Sequence, residues 1–221
     1  MPRLISISLC SCRARSFPQN SLKRGARTAV FVRLVLGISG ASGAIYGIRA
    51  LEALGNAGVE THLVMTSAAR ETIRLETGRS AADVEALASH TYRIDDPTAK
   101  IAGGSFRTHG MAVVPCSMKT LGGIASGYAD NLLLRAAEVS MKERRPLVLV
   151  VRETPLSLID LENMVKVTKA GAIVMPAMPA FHNRPKTVDD MVNHVVGKLF
   201  DILDIPHDLV PRWNGPPTGS P

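Results

Sequence analysis

The sequence predicts an α/β protein built on a parallel sheet. Two observations carry this. From Arg33 onward, short β-branched runs alternate with longer helical stretches, the pattern of strands and crossover helices. The chain has 221 residues, 46% of them hydrophobic, which suits one substantial core rather than two large domains. No internal repeat is evident.

Residues 34–38 (Leu-Val-Leu-Gly-Ile) read as the first strand, and residues 44–56 as its helix, with Ile45, Ile48, Leu51 and Leu54 along one side. Gly58 marks the turn into a second strand at 61–65. Helical material at 68–76 and 83–89 leads through Tyr92 and Ile94 to Asp95-Asp96-Pro97, and Gly103-Gly104 reads as loop. A third strand at 111–114 precedes a small-residue segment and a helix over 131–144 that Pro146 ends. Residues 147–151 form the most strand-like run. A helix at 158–170 follows, capped by Gly171, and 172–175 reads as another buried strand. The final helix starts near Thr187, which has capping-box spacing to Asp190, and carries Met191, Val195, Leu199 and Phe200 on one face.

The formal charge of +7 suggests a nucleic-acid binder until the charges are located. Of the 26 basic residues, seven precede Leu34 with no acidic residue among them, leaving 19 against 19 acidic ones. The body is neutral and shows no phosphate-backbone footprint. Residues 1–32 form a basic, Arg- and Ser-rich extension without an apolar run long enough for a signal peptide or membrane span. A mitochondrial transit peptide, a disordered extension and an upstream start codon all fit. The expected domain covers residues 33–213, with a flexible tail at 214–221. Cys10 and Cys12 lie in the extension, so Cys116 alone cannot build a disulfide framework or a Cys-rich zinc site, and a reducing compartment fits.

In an open parallel sheet the ligand sits beyond the carboxyl ends of the strands. The first strand runs through Ser39-Gly40-Ala41-Ser42-Gly43 straight into a helix, an arrangement that presents amide N–H groups to an anion. Glycines at 37, 40 and 43 match neither the dinucleotide fingerprint nor the Walker loop; a mononucleotide phosphate suits them, as does a tight turn needed for packing alone. The third strand ends in Pro115-Cys116-Ser117-Met118-Lys119-Thr120, where Cys116 reads as a small buried hydrophobe rather than a nucleophile. Arg135, Glu138 and Lys142 share a helix face that reads as solvated. Arg152-Glu153 emerges from a buried strand, either as a phosphate clamp with a proton donor or as a structural ion pair. His182 lies in a rigid Pro-rich loop after the last strand.

Six words now stand in order between about Arg33 and Trp213: Gly-Ile-Ser-Gly-Ala-Ser-Gly-Ala, Pro-Cys-Ser-Met, Lys-Glu-Arg-Arg-Pro-Leu-Val-Leu-Val, Arg-Glu-Thr-Pro, Leu-Glu-Asn-Met and Pro-Arg-Trp. Together they resemble the UbiX flavin prenyltransferases. The resemblance implies a flavodoxin-like (Rossmann-like), doubly wound, three-layer αβα fold and a homododecamer holding FMN at the sheet edge and at a subunit interface. It implies alkylation of reduced FMN by dimethylallyl phosphate at N5 and C6, with prenylated FMN passed to a UbiD-like decarboxylase and no metal involved. Ubiquinone synthesis and aromatic-acid decarboxylation are both destinations open to that product. A bacterial member would be cytoplasmic, and one whose extension is a transit peptide mitochondrial.

Carried over by position, the FMN contacts would be Gly40, Ala41, Ser42, Thr66, Ser117, Met118, Lys119, Thr120 and Arg152. The substrate site would use Glu76, Arg135, Lys142, Arg152, Glu153, His182, Lys198 and Trp213. Ser42 near flavin N5, Lys142 on phosphate and Glu153 as proton donor would be catalytic. Two positions depart from the pattern: His182 stands where many members have tyrosine, and Lys119 where others have glycine. Two other readings are an FMN-dependent cysteine decarboxylase and a flavin carrier or decarboxylase subunit. The first is disfavoured by Pro-Ala-Met-Pro-Ala-Phe at 176–181, where those enzymes carry a Pro-Ala-Ser-Ala-Asn-Thr-like word; the second by the charges at Lys142, Arg152 and Glu153.

Overall fold

The computed structural model describes residues 32–212. The tail at 214–221, Trp213 and all of the basic extension but Val32 lie outside the described residues. No helix among the described residues is long and apolar enough to cross a membrane.

Six strands form one parallel sheet: β1 (Arg33–Ile38), β2 (Glu60–Met65), β3 (His90–Tyr92), β4 (Gly110–Cys116), β5 (Leu147–Val151) and β6 (Ile173–Pro176). Their spatial order is β3-β2-β1-β4-β5-β6. The chain winds outward from β1 in one direction and from β4 in the other, so the topological switch lies between β1 and β4. The loops after these two strands are the glycine-rich and the Ser-Met-Lys-Thr segments.

Helices α1 (Ala44–Asn56), α2 (Ser67–Thr77), α3 (Ala81–Glu85) and α7 (Val188–Ile202) cover one face, where Ile48, Leu51, Ile73 and Phe200 pack on Leu36, Leu63 and Val148. The other face carries α4 (Met118–Ser126), α5 (Leu132–Lys142) and α6 (Leu158–Lys169), with Leu121, Leu133 and Val167 against Val35, Val113 and Leu149. The fold is flavodoxin-like α/β, as the resemblance implied. The Thr187 hydroxyl accepts from Asp190 N at 3.1 Å and the Asp190 carboxylate from Thr187 N at 2.9 Å, closing the expected capping box.

Three expectations need correction. The small-residue segment after the third strand contains a helix, α4, because Ser117 caps it and Leu121 and Ile124 bury its inner face. Its Gly123 is required there: a Cβ would stand 2.8 Å from Leu134 Cδ1. The segment around Tyr92 is a third strand, β3, pairing only with β2. Finally, β6 is an edge strand with Ile173 and Pro176 exposed, since it pairs with β5 on one side alone.

Candidate active site

Ser39, at the end of β1, ties the two loops of the switch point together. It is fully buried; its hydroxyl donates to Pro115 O at 2.8 Å and accepts from Ser117 N at 2.7 Å. Next to it, Gly40 lets the loop lie against α2, where a Cβ would stand 2.4 Å from Ala68 Cβ. Gly43 adopts φ 103°, a left-handed conformation that turns the chain into α1.

The amide end of α1 is occupied by the chain's own Glu76. One carboxylate oxygen accepts from Gly43 N at 2.8 Å and from Ala44 N at 2.9 Å. Burial, the largest single effect, raises the Glu76 pKa. Hydrogen bonds from Ser42, Gly43 and Ala44, with the nearby Arg152 charge, outweigh it and hold the carboxyl below its ordinary value. Glu76, Ser42 and Arg152 therefore meet around one helix terminus, and the α1 amides that the sequence offered as an anion cradle already hold a carboxylate.

Two other helix termini at this edge remain directed outward. Thr66 caps α2 by accepting from Ala69 N at 3.1 Å, and Ser117 caps α4 by accepting from Thr120 N at 3.3 Å. Helix geometry points the remaining first-turn amides of α2 and α4 out of the helix ends. Between them lies a cavity of about 670 Å³ lined by Gly40, Thr66, Ser117, Lys119, Thr120 and Tyr128, among others. Its volume is that of a cofactor site, and it combines amide donors, hydroxyls and one cation, as a phosphorylated ring system requires. Lys119 thus faces the space where an anion would be held. Met118, by contrast, packs against the core under α4 and β4.

At the end of β5, Arg152 N bonds Cys116 O at 3.2 Å, setting Arg152 and Glu153 beside the α4 terminus. Both side chains are exposed. Cys116 itself is fully buried, and burial pushes its thiol up to about 12, so it serves as a hydrophobe.

The remaining cations stand apart. Lys142 ends α5, where its ammonium donates to Glu143 at 2.7 Å. Arg145, three residues on, donates to Gly104 O and Phe106 O near the start of β4, so Lys142 sits at the amino end of the strands. Arg152 sits at the carboxyl end, about 13 Å away along β5 at some 3.3 Å per residue. Arg135 lies in an adjoining depression, paired with Glu138 at 2.9 Å and Ala102 O at 3.1 Å. Lys198 lies on α7 one turn beyond His194, and its charge, with that of His182, acts on the His194 ring. His182 leaves that edge on the loop after β6 and packs edge-on to His194, with ring centroids 5.8 Å apart. Trp213 lies outside the described residues.

Sequence reasoning missed Ser39, whose role depends on a partner loop 76 residues away, and the capping role of Glu76, 33 residues from Gly43. It also passed over Tyr128 and Ile94 on the cavity wall.

The Flavoprotein family model matches residues 23–205. Flavin prenyltransferase UbiX of Thauera aromatica is 53% identical over 184 residues, which span 83% of this chain and 95% of that protein. The chain belongs to the UbiX flavin prenyltransferase family. Solved structures agree. AnUbiX (PadA1), in complex with FMN and dimethylallyl pyrophosphate, superposes with TM-score 0.83 at 48% identity, covering 84% of this chain and 98% of its own. The dodecameric FMN-dependent Ubix-like decarboxylase from Escherichia coli O157:H7 gives 0.81 at 52% identity, covering 83% and 100%.

Proposed function

We propose that this chain is a flavin prenyltransferase, joining the dimethylallyl group of dimethylallyl phosphate to reduced FMN and releasing inorganic phosphate. One observation carries the reading: a flavin-sized cavity and the Arg152-Glu153 pair share one sheet edge, in a chain of the UbiX family.

The residues present fit FMN. First-turn amides of α2 and α4, the hydroxyls of Thr66, Ser117 and Thr120, and Lys119 would hold its phosphate. Gly40 and Ala41 let the backbone approach a planar ring, and Ser42 would sit beside N5. When bound, reduced FMN supplies the nucleophilic N5 and C6, which bond to the dimethylallyl carbons as the C–O bond breaks and its electron pair leaves on phosphate. The proton that phosphate takes is balanced by one released from the flavin. Arg152 grips phosphate oxygens through its planar fork and stabilises the growing negative charge. Glu153 would hand phosphate its proton. Glu76 keeps Ser42 in place and keeps the α1 amides from competing for the phosphate group.

Lys142 lies at the opposite end of the strands from Arg152, and Arg135 is engaged with Glu138 in the adjoining depression, so neither shares a phosphate with Arg152 as they stand in one chain. We infer that a second copy brings them, so that the site is completed by assembly into a homo-oligomer; the dodecameric relative supports that reading. His182 would then contribute a hydrogen bond from its own chain. Closure by a second copy would also exclude water, which would otherwise capture the allylic carbon. Prenylated FMN would pass to a UbiD-like decarboxylase in a reducing compartment where reduced flavin persists.

The test is to mix the chain without air with reduced FMN and dimethylallyl phosphate, then add the product to a flavin-free UbiD-like decarboxylase. Phosphate release and restored decarboxylation are expected. Bound FMN with no phosphate released, from either the monophosphate or the pyrophosphate, would make the chain a flavin carrier.

A further inference from the structure

We propose that Glu60, His62 and His90 form a binding site for a divalent metal ion of the zinc class, at the far end of the sheet from the flavin cavity. Sheet geometry brings the three together. Glu60 and His62 are two residues apart on β2 and so project from the same face. His90 is the register partner of His62 on β3 and joins them on that face.

The donor atoms converge on one point. His62 Nε2 and His90 Nε2 each lie 3.1 Å from the same Glu60 oxygen, and one donor atom from each residue fits within 4.8 Å of the others. A tetrahedral ion with bonds of about 2.0–2.1 Å spaces its ligands by about 3.3 Å, which the two nitrogen–carboxylate separations already match; the exposed His90 ring can turn to bring its nitrogen to the same spacing from His62. Two imidazoles and a carboxylate suit zinc or cobalt, with solvent as the fourth ligand.

The outer atoms of these ligands are also held. His62 Nδ1 lies 2.8 Å from the Tyr92 hydroxyl, and the second Glu60 oxygen accepts from Arg33 Nε at 2.8 Å. Such partners fix the ring orientation and carboxylate rotamer of metal ligands. The His62 ring is 1% exposed, stacked on His90 and met edge-on by Phe106, whereas His90 is 47% exposed and opens the site to solvent. Without a metal, the same distances are those of two imidazole N–H groups donating to one carboxylate; a metal bound at both Nε2 atoms would leave each neutral ring its proton on Nδ1, where His62 would donate to the Tyr92 hydroxyl. The Arg33 charge tempers affinity without blocking the oxygen that faces the histidines.

The site would staple β3, three residues long and paired on one side, to the body of the sheet. Just beyond β3, Ile94 lines the flavin cavity. Along β2, Thr66 is six residue steps from Glu60 and four from His62, about 20 Å and about 13 Å, so the metal takes no part in prenyl transfer.

The test uses tag-free full-length protein stripped with chelator and titrated with Co²⁺, then Zn²⁺. One Co²⁺ per chain with the visible bands of a tetrahedral site is expected, displaced by Zn²⁺. Zinc at a hundred times Kd should raise Tm by about 5–10 °C. His90→Ala, at an exposed ring, should abolish the bands and the Tm rise. Tyr92→Phe should weaken binding roughly 10–100-fold while leaving the chelated protein's fold intact. Bands or a Tm rise that persist in His90→Ala would overturn the proposal, and wild-type protein that binds neither ion would reduce the cluster to hydrogen bonds only. Prenyl transfer by the chelated protein is measured separately, so either result leaves the reading of the flavin site intact.

Discussion

Replacing Ser39 with alanine removes one hydroxyl and should loosen both loops of the switch point. The hydroxyl is fully buried and serves Pro115 O at 2.8 Å and Ser117 N at 2.7 Å. Pro115 O keeps the Ser39 amide at 3.2 Å, but Ser117 N is left with no acceptor. An orphaned buried donor costs about 1–3 kcal/mol; Ser117 is half-buried, which favours the lower part of that range, and each 1 kcal/mol lowers Tm by about 2–4 °C for a domain of this size. Ser117 also caps α4, whose amides face the cavity. Wherever binding must reorder that loop, about 1.4 kcal/mol of ordering costs on the order of tenfold in FMN affinity. Thermal unfolding and calorimetric FMN titration of Ser39→Ala measure both effects. A Tm within about 1 °C of wild type together with an unchanged Kd would refute the stapling role.

Gly40→Ala should fold yet bind FMN poorly, because its methyl meets Ala68 Cβ at 2.4 Å and pushes the loop off α2; flavin fluorescence titration checks this. Glu76 has a folded-state pKa below its ordinary 4.5, so its stabilisation is present above that pH and lost as pH falls through the folded value. Melts of wild type and Glu76→Gln should therefore differ at pH 7 and converge in acid. Glu153→Gln and Lys142→Ala should each retain FMN, with Glu153→Gln losing about 10²–10⁴-fold in turnover as a lost proton donor does. Mixing these two inactive variants under subunit exchange should restore activity in part, because some interfaces then pair an intact Glu153 with an intact Lys142 from another chain; no recovery would place Lys142 outside the site.

The parts of the fold legible in the sequence are those where local rules and burial agree. The β5 run is continuous apolar sequence and fully buried, and Thr187 and Asp190 form their capping box within four residues. Helix α4 was hidden because Gly122, Gly123 and Ser126 read as loop, and their reason is tertiary: α5 packs too closely for a side chain at Gly123. Strand β3, only His90–Tyr92, is too short to show alternation. Small and hydroxyl residues made the loops after β1 and β4 readable as a candidate site, and residues of both line the cavity. That Glu76 fills the α1 terminus, and that Lys142 lies at the opposite end of the strands from Arg152, depend on three-dimensional placement that no spacing encodes.

The central claim is that this chain transfers a dimethylallyl group to flavin, and the mass of the flavin tests it most directly. After anaerobic incubation with reduced FMN and dimethylallyl phosphate, the flavin recovered from the protein should be heavier by one C5H8 unit, with one phosphate released per flavin. Flavin of unchanged mass in protein that has bound both ligands would contradict the account.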